Sequence, residues 1–427
     1  MEKITDLNIP KTSAKRIVII GAGFAGLHFA KEFNSNKYQL VMIDKNNYHT
    51  FQPLLYQVAT AGLEPDSIAH AIRTIFHKKE NFHFRNTNVT KINKEINEIE
   101  TDIGALKYDY LIIATGSNTN FYGNKSVEKN TFSMKTIPEA LDLRSIILQN
   151  FELVLLTNDL EERQRLMNFV IVGGGPTGVE LAGALAELKN HILPYDYPEI
   201  DVRRMNVHLV QSGDKLLAGM SEESSSEAKK YLEKEGVQIW FNTRVLNFDG
   251  KFVDTDNVDI DANTMIWAAG VTGATINGFD ENQIAGNRYL VDEYCKIIDT
   301  NNIFALGDVA CLVSEKQPKG HPMMAQPAIQ QGKLLAKNLP LFIQNKKMVA
   351  FQYKDKGSMA TIGRNKAVVD LTNFHFKGLT AWVIWMFVHL ISLVGFRNKM
   401  IALVNWIIQY FSYNKSVRLI IRPFIKK

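Results

Sequence analysis

The sequence predicts an α/β fold made of two similar strand–turn–helix units and a C-terminal helical region. An apolar strand, a glycine turn and an apolar-periodic helix follow one another at residues 16–33 and again at residues 169–189. The basic, aromatic and apolar composition after residue 371 predicts the helical end. The 427 residues are enough for two or three domains with cores of their own.

Composition excludes several classes of protein. Apolar residues make up 46% and charged residues 22%, which excludes a disordered or low-complexity chain. The two cysteines, Cys295 and Cys311, form no CxxC pair, so we expect neither a thiol redox centre nor a metal site. Residues 1–16 are polar, so we expect no secretory signal and a reduced compartment.

The net charge of +5 is concentrated in one segment. Residues 371–427 contain eight Lys or Arg and no Asp or Glu, whereas the rest of the chain has 41 basic and 44 acidic residues. Three of the five tryptophans, Trp382, Trp385 and Trp406, lie in the same segment. This composition suits a lipid interface better than a nucleic acid, and we expect no nucleic-acid partner.

The first glycine turn has the spacing of a dinucleotide-binding motif. Gly21 permits a tight turn, Gly23 lets the backbone approach a pyrophosphate, and Gly26 lets helix and strand pack closely. Phe24 and Ala25 open the helix, whose N–H groups and dipole would face the phosphates. The alternative is that the glycines only turn a strand into a helix.

A second strand ends at Asp44, 23 residues after Gly21 and just before Lys45. A carboxylate at that place can accept hydrogen bonds from ribose hydroxyls. Strand, glycines, helix, strand and terminal acid in this order predict a Rossmann-like dinucleotide site.

The second glycine turn repeats the pattern 152 residues later, and its second strand is predicted at residues 206–211. Two such units favour two different dinucleotides, because a flavin is needed to pass electrons from NAD(P)H to another type of acceptor. The alternative is a duplicated domain whose second site is empty. The residues expected to contact the second dinucleotide are Gly173, Gly175, Pro176, Thr177 and Gly178.

Three further strands, predicted within residues 107–118, 263–271 and 301–310, end in small-residue turns that would close over bound nucleotides. A carboxylate at Asp308 could hold the ribityl hydroxyls of a flavin. The predicted contacts are Ala114, Thr115, Gly116, Ala269, Gly270, Gly307 and Asp308.

These motifs resemble the two-dinucleotide-domain flavoproteins that include glutathione reductase, over roughly residues 16–345. The resemblance implies that the first site takes non-covalent FAD and the second takes NADH or NADPH. It implies an FAD-binding domain at 1–150 that returns at 286–345, an NAD(P)H-binding domain at 151–285, and a C-terminal membrane-association region at 346–427.

Disulfide reductases of this kind carry a CxxxxC pair shortly after the first glycine turn, whereas residues 46–65, NNYHTFQPLLYQVATAGLEP, contain no cysteine. That stretch, together with GGGPTGVELAG and MMAQPAIQQGKLLAKNL at residues 323–339, resembles the type II NADH dehydrogenases. These single-subunit flavoenzymes pass electrons from NADH to a membrane quinone, ubiquinone or menaquinone, without pumping protons.

A helix is predicted to start near Gln326, with Pro327 at its first position and its dipole directed outward. In the resembled family such a helix end faces the pyrimidine side of the flavin, where it would stabilise negative charge. The resemblance also places Ala325, Gln326 and Gln330 against the flavin, where the quinone enters. The alternative for the glutamines is a solvated helix face.

Glu180 is predicted in the first turn of the second glycine helix. One interpretation is that its carboxylate complements the helix dipole, at roughly 0.3–1 kcal/mol. The resemblance supports another, in which Glu180 lies beside the flavin and passes protons, because a quinone that takes two electrons also takes two protons.

One departure from the family pattern concerns nucleotide choice. In NAD-preferring members the second strand of the nucleotide domain ends in an acid, whereas Gln211 occupies that place here. A neutral amide does not repel a 2′-phosphate, so we expect NADPH to be accepted, alone or alongside NADH. Arg203 and Arg204 are nearby in sequence.

The tail has two apolar segments. Residues 379–396 are just long enough to span a bilayer, but spanning would carry the basic residues beyond 396 across it, against the positive-inside bias. Residues 401–418 carry a polar stripe that predicts an in-plane amphipathic helix. The stripe is Asn405, Gln409, Ser412 and Ser416, and the basic residues expected to attract anionic lipid are Lys415, Arg418, Arg422, Lys426 and Lys427.

We therefore expect a monotopic enzyme on the cytoplasmic face of the cell inner membrane or its organellar equivalent, and a homodimer. The alternative for the apolar tail is a dimer interface or core. The alternative functions are a sulfide:quinone oxidoreductase, which needs paired cysteines, a soluble ferredoxin or rubredoxin reductase, and a non-enzymatic redox sensor or scaffold.

Overall fold

The computed structural model describes residues 7–315, 317–412, 417–421 and 423–425. The chain divides into two compact units. Unit 1 comprises residues 1–49, 70–118 and 271–355, and unit 2 comprises residues 50–69, 119–270 and 356–427. The four functional ranges predicted from the sequence stay predictions.

The strands of the described residues are numbered in chain order. They are β1 (Arg16–Ile20), β2 (Gln39–Asp44), β3 (Tyr48–Thr50), β4 (Ala69–Ala71), β5 (Phe82–Asn86), β6 (Val89–Asn93), β7 (Glu98–Thr101), β8 (Gly104–Lys107), β9 (Tyr110–Ile113), β10 (Ser117–Thr119), β11 (Asn168–Val172), β12 (Asn206–Val210), β13 (Val237–Trp240), β14 (Val245–Phe248), β15 (Phe252–Thr255), β16 (Ile260–Asp261), β17 (Thr264–Trp267), β18 (Val271–Gly273), β19 (Ile284–Ala285), β20 (Arg288–Leu290), β21 (Ile303–Ala305), β22 (Ala310–Cys311), β23 (Ser358–Gly363), β24 (Lys366–Leu371) and β25 (Phe374–Lys377).

The helices are numbered in the same way. They are α1 (Phe24–Glu32), α2 (Leu55–Ala59), α3 (Pro65–Ile68), α4 (Ile72–Ile75), α5 (Lys125–Asn130), α6 (Ile137–Leu156), α7 (Leu160–Met167), α8 (Pro176–His191), α9 (Leu193–Asp196), α10 (Glu222–Lys234), α11 (Ala325–Ile343), α12 (Gly378–Ser392) and α13 (Phe396–Ser412).

Unit 1 is built on a five-stranded parallel sheet with the order β21-β9-β1-β2-β5. Residues 17–20 of β1 are buried, as expected for a central parallel strand whose faces are both covered. Helix α11 packs closely on α1, since a Cβ at Gly332 would lie 2.4 Å from the carbonyl oxygen of Ala25. The turns at the carboxyl ends of these strands are where a doubly wound sheet binds its ligand.

Unit 2 repeats this arrangement with the parallel order β13-β12-β11-β17. Its β12 confirms the strand predicted at residues 206–211, although the strand ends one residue earlier, at Val210. Two antiparallel sheets, β14-β15-β16 and β23-β24-β25, also lie in the unit. Ala367 and Val369 of β24 form an apolar cluster with Ala381 of α12.

The predicted apolar run 379–396 is not one helix. Helix α12 covers 15 residues and ends at Ser392, and α13 begins at Phe396. Among the described residues, no helix has both the length and the apolar character that crossing a bilayer requires.

Candidate functional site

The first glycine turn of unit 1 requires glycine at two of its three positions. Gly21 follows β1 with φ +104°, and a Cβ there would lie 2.2 Å from the carbonyl oxygen of Ala114. A Cβ at Gly26 would lie 2.0 Å from the carbonyl oxygen of Gly21. By contrast, no atom lies within 4 Å of a Cβ built on Gly23, so the backbone is open to a ligand there.

Asp44 ends β2 beside this turn. One carboxylate oxygen accepts a hydrogen bond from the N–H of Ala22 at 2.7 Å and the other from the N–H of Asn46 at 2.7 Å. Burial raises the pKa of Asp44, while these two hydrogen bonds act in the opposite direction. Lys45, the next residue, is exposed.

Two other predicted segments reach the same edge of the unit 1 sheet. Ala114, Thr115 and Gly116 follow β9, which pairs with β1 and with β21. Asp308 follows β21 and accepts a hydrogen bond from the hydroxyl of Ser117 at 2.6 Å. The N–H of Gly307 donates to the side-chain oxygen of Gln331 at 2.7 Å. Unit 1 thus brings these predicted nucleotide contacts together.

These residues fit an FAD. Gly23, the N-cap of α1, makes no side-chain capping bond, and the first turn of α1 has no acid. The first N–H groups of α1, from Phe24 and Ala25 onward, are therefore suited to a pyrophosphate, while Asp44 and Asp308 offer acceptors for hydroxyls.

Helix α11 starts one residue earlier than predicted, at Ala325. Pro327 is therefore the third helical residue, so the prediction of a first-position proline was wrong, although its missing N–H still falls in the unpaired first turn. The N-cap, Met324, makes no side-chain capping bond. The positive end of the helix dipole is thus not neutralised by its own cap.

The two predicted glutamines of α11 both contact the segment that follows the helix. Gln330 donates to the carbonyl oxygen of Lys354 at 2.8 Å and accepts from its N–H at 3.0 Å. The hydroxyl of Tyr353 donates to the side-chain oxygen of Gln326 at 3.4 Å. Gln330 therefore joins a chain segment to the helix, which differs from the solvated face considered as an alternative.

The second glycine turn, in unit 2, has the same geometry as the first. A Cβ at Gly173 would lie 2.6 Å from the carbonyl oxygen of Ala268, and one at Gly178 would lie 1.9 Å from that of Gly173. No atom lies within 4 Å of a Cβ built on Gly175. Pro176 and Thr177 are exposed at the start of α8.

Gln211 directly follows β12 and lies beside the second glycine turn. Its side-chain oxygen accepts a hydrogen bond from the N–H of Gly174 at 2.8 Å. Arg203 and Arg204 precede β12, at the opposite end of that strand, and Arg203 is paired with Asp201 at 2.7 Å. These two arginines are therefore not placed to meet a phosphate beside Gln211.

The turn after β17 contributes Ala269 and Gly270 to the same unit. The carbonyl oxygen of Ala269 accepts a hydrogen bond from the hydroxyl of Tyr122 at 3.0 Å. Gly270 has φ +156°, a backbone conformation that residues with a side chain rarely adopt, so the turn favours glycine there.

Glu180 is the fifth residue of α8 and is buried, with 7% of its surface exposed. The prediction that it lies in the first turn was therefore wrong, and the interpretation as a dipole partner falls with it. Its carboxylate accepts hydrogen bonds from the indole N–H of Trp385 at 3.3 Å and from the N–H of Thr361 at 3.4 Å. Burial raises the pKa of Glu180 to about 8, so the group is mostly a neutral acid at pH 7.

Glu180 borders a cavity within unit 2, between α2, α8, β23, α12 and α13. Sequence reasoning missed this cavity, because its walls come from distant parts of the chain. Three tryptophans make much of the wall apolar, and the polar groups include a second carboxyl, Glu187. The lining residues are Tyr56, Gln57, Thr60, Gly62, Glu180, Ala184, Glu187, Thr361, Gly363, Arg364, Trp382, Trp385, Met386, Trp406, Gln409 and Tyr410.

Helix α13 covers Phe396–Ser412 and is amphipathic, as predicted, and two of its side-chain amides are bonded within unit 2. The side-chain amide of Gln409 donates to the carbonyl oxygen of Gly62, and that of Asn398 donates to the carbonyl oxygens of Asp66 and Ala69 at 2.9 and 2.7 Å. These two amides are thus used inside the unit, whereas Arg397 and Ser412 are exposed together with most of the apolar side chains of the helix.

The exposed apolar side chains of α12 and α13 form a surface that we call the apolar foot. Its members are Leu379, Val383, Phe387, Val388, Ile391, Phe396, Met400, Val404, Ile407, Ile408 and Phe411. A surface of this kind marks an interaction site in a soluble protein.

The predicted basic residues of the tail are only partly described. Lys415, Arg422, Lys426 and Lys427, like Ser416 of the predicted stripe, lie outside the described residues. Arg418 forms an ion pair with Asp196 at 2.5 Å, so the prediction that its charge is available to lipid was wrong.

The two cysteines are not among the residues of the sites described above. Cys295 and Cys311 are buried free thiols of unit 1, and burial raises the pKa of Cys295. Within the described ranges, no group of three or more His, Cys, Asp or Glu side chains is arranged to hold a metal ion.

Comparison with known proteins gives two family matches. Residues 15–332 match the pyridine nucleotide-disulphide oxidoreductase family, and residues 356–412 match the NDH2 C-terminal domain. Among solved structures, NDH2 from Plasmodium falciparum in complex with NADH is similar in fold, with a TM-score of 0.86 and 23% identity over 96% of this chain and 100% of that one.

Curated relatives agree with these matches. The type II NADH:quinone oxidoreductase Ndh of Mycobacterium tuberculosis is 34% identical over 94% of this chain and 89% of its own length. The type II NADH:quinone oxidoreductase of Haemophilus influenzae is 30% identical over 84% of this chain and 87% of its own length. A sulfide:quinone oxidoreductase of Aquifex aeolicus shares the fold, with a TM-score of 0.72, at 19% identity. These matches extend from the first glycine turn to the C-terminal helices. The chain belongs to the type II NADH:quinone oxidoreductases of the pyridine nucleotide-disulphide oxidoreductase family.

Proposed function

We propose that this protein oxidises NADH, and NADPH as a second substrate, and reduces a membrane quinone. Family membership over nearly the whole chain gives the reaction class. The observation that carries the quinone assignment is the buried acid Glu180 on an apolar, tryptophan-lined cavity. An apolar wall suits a quinone ring and its tail, and a neutral acid suits a reaction that must protonate it.

The overall reaction converts NADH, one proton and quinone into NAD⁺ and quinol. Bound FAD supplies the two-electron carrier between the dinucleotide and the quinone. The residues of this chain bind and orient the reactants and manage the single proton that comes from water. We assign this proton to Glu180, which holds it at its carboxyl group before transfer to a quinone oxygen.

Gln326 and Gln330 have different roles in this proposal. The hydroxyl of Tyr353 donates to the side-chain oxygen of Gln326, so the amide N–H₂ of Gln326 is oriented away from that contact. We assign Gln326, the second residue of α11, as a residue that lies against the bound flavin. Gln330, with both amide atoms bonded to Lys354, is assigned as a positioning residue that holds the segment carrying Tyr353.

Gln211 supports the use of both nucleotides. Its side-chain oxygen is taken by Gly174, which leaves its N–H₂ group on the side of Gly213. An N–H₂ group can donate to a ribose oxygen or to a 2′-phosphate oxygen, and it carries no charge that would repel the phosphate.

The function is tested with purified full-length protein reconstituted with FAD. We expect NADH to bleach the flavin absorption and ubiquinone-1 to restore it, with a smaller rate for NADPH. Protein that binds FAD but shows no turnover with ubiquinone-1 or menadione would contradict the quinone assignment. A protein that stays colourless with FAD would contradict the whole proposal.

We further propose that the apolar foot rests on a bilayer and that two chains form a homodimer. Eleven exposed large apolar side chains on two consecutive helices favour a lipid contact. The cytoplasmic face, or its organellar equivalent, stays a prediction.

Ile407→Gln with Phe411→Gln should weaken flotation with lipid vesicles, whereas Leu246→Gln, at an exposed residue of β14, should not. Equal flotation of all three proteins would contradict the lipid contact, and mass photometry in detergent tests the dimer.

A further inference from the structure

Glu180 needs a route by which its proton is replaced. Each turnover takes one proton from water, so the carboxyl must be protonated again before the next quinone arrives. Glu180 is 7% exposed, and the two groups that hydrogen-bond to it are an indole N–H and a backbone N–H. Neither group gives up its proton at neutral pH, so neither can supply it.

A second carboxyl lies on the same face of α8. Glu187 follows Glu180 by seven residues, which places it two helical turns away, at a distance of about 10 Å along the axis. Both side chains line the same cavity. Unlike Glu180, Glu187 is partly exposed, so it can exchange protons with water.

The space between the two carboxyls is suited to water. Ala184, one turn from each of them, also lines the cavity, and its side chain is only a methyl group, which takes up little of the space between the two carboxyls. The buried phenol of Tyr56 lines the same cavity from α2. Burial first, and then the charge of Glu180 and more weakly that of Glu187, raise the pKa of Tyr56, so the phenol stays protonated and can hydrogen-bond to water without losing its proton.

The charged and titratable groups that surround Glu187 come from other elements. The N–H of Arg364, in the turn between β23 and β24, donates to its carboxylate at 3.3 Å. Lys366 of β24, whose own ion pair is with Glu235, acts on Glu187 through its charge. Glu187 thus has one backbone hydrogen-bond donor, the N–H of Arg364, and one cation, Lys366, as partners from the neighbouring strands.

We propose that Glu187 is the group through which a proton from water reaches Glu180. The proton passes from water to the Glu187 carboxylate, then along water in the cavity past Ala184 and Tyr56 to the Glu180 carboxylate. One O–H bond breaks and one forms at each step, and no electrons move. The proposal rests on the proposed quinone reduction and adds Glu187 to it as the residue that supplies protons to Glu180.

The test compares Glu187→Gln with wild type in the full-length protein. Glutamine retains an oxygen that can accept from the N–H of Arg364, so the local structure should be kept. We expect ubiquinone-1 turnover at pH 8 to fall about tenfold while NADH bleaches the flavin at an unchanged rate. Millimolar azide or formate should restore turnover, and Glu187→Asp should retain most of it.

A second readout does not depend on turnover. After a pH jump, the carboxyl C=O infrared band of Glu180, assigned by its loss in Glu180→Gln, reports the rate at which Glu180 gains a proton. We expect this rate to fall about tenfold in Glu187→Gln and to stay unchanged in Glu161→Gln, whose exposed carboxyl on α7 is the matched control.

The outcomes separate the two proposals. A protonation rate of Glu180 that is the same in Glu187→Gln and wild type would overturn the route, and so would a loss of turnover that small acids do not restore. If NADH bleaches the flavin of the wild-type protein but ubiquinone-1 is not reduced, the proposed function fails. The infrared measurement would still decide whether Glu187 supplies the proton.

Discussion

The two glycine turns of this protein share one backbone design. In both, the N–H of the middle residue donates to a side chain at the end of the neighbouring strand. The bond runs from Ala22 to Asp44, the last residue of β2, at 2.7 Å, and from Gly174 to Gln211, the residue after β12, at 2.8 Å. In both, a Cβ on the last glycine would overlap the carbonyl oxygen of the first, at 2.0 and 1.9 Å. The design leaves open backbone at the second glycine of each turn.

The turns differ in the side chains at their two flanks. The strand-end residue is a carboxylate in unit 1 and an amide in unit 2. The fifth residue of the following helix is His28 in unit 1, half-buried and bonded to the carbonyl oxygen of Phe24, and the buried acid Glu180 in unit 2. The backbone thus provides the same open turn twice, and the flanking side chains are what distinguish the two turns.

The shared backbone design is most severely tested at the last glycine of each turn. Gly26→Ala and Gly178→Ala should each lower the free energy of unfolding by more than about 4 kcal/mol, because the new methyl group meets backbone that cannot move away. Gly23→Ala and Gly175→Ala, at φ of −67° and −75°, should fold normally and lose only dinucleotide affinity. Thermal denaturation and nucleotide titration measure the two effects, and equal melting temperatures for Gly26→Ala and Gly23→Ala would contradict the geometry.

The difference at the fifth helical residue predicts a catalytic effect in one unit only. Glu180→Gln should reduce quinone turnover about a hundredfold, whereas His28→Gln at the matching place should change it little. In wild type, turnover should fall as the pH rises through about 8, because the acid with a pKa near that value loses its proton. A pH profile measured with ubiquinone-1 that is the same for Glu180→Gln and wild type would return Glu180 to a structural role.

The strand-end carboxylate predicts a contribution to FAD binding. Asp44→Asn keeps an oxygen for the N–H of Ala22 but removes the negative charge that strengthens hydrogen bonds from ribose hydroxyls. We expect FAD affinity to fall about thirtyfold, equivalent to about 2 kcal/mol. Titration of the deflavinated protein with FAD measures it, and an unchanged dissociation constant would remove Asp44 from the ribose.

The strand-end amide predicts the smallest change. Gln211→Glu would place a carboxylate beside a 2′-phosphate, so the ratio of kcat/KM for NADH to that for NADPH should rise about tenfold. Steady-state quinone reduction with each nucleotide gives the ratio. If it does not move, the ribose does not lie beside Gln211.

The sequence was sufficient to predict both turns and their strands, because a dinucleotide motif is local and its glycines are fixed by backbone contacts. The surroundings of Glu180 could not be predicted in this way. Its partners Thr361 and Trp385 are 181 and 205 residues away, and no spacing rule connects them. Placing Glu180 in the first helical turn was an error of counting from Gly178 instead of from Pro176, where α8 begins.

The tail shows a second limit. The spacing of polar residues in α13 correctly predicted an amphipathic helix, but periodicity does not say which side is covered. The bonds from Gln409 to Gly62 and from Trp406 to Gln57 show that these two side chains lie on the covered side.

Because α13 uses two amides and one indole inside the protein, it cannot move away from the rest of unit 2 without breaking those hydrogen bonds. The apolar side of the helix is therefore exposed in the folded state itself and does not require a conformational change to become exposed. In water, this exposed apolar side would favour contact between copies of the chain. The choice of detergent should thus determine whether the purified enzyme stays monodisperse or aggregates.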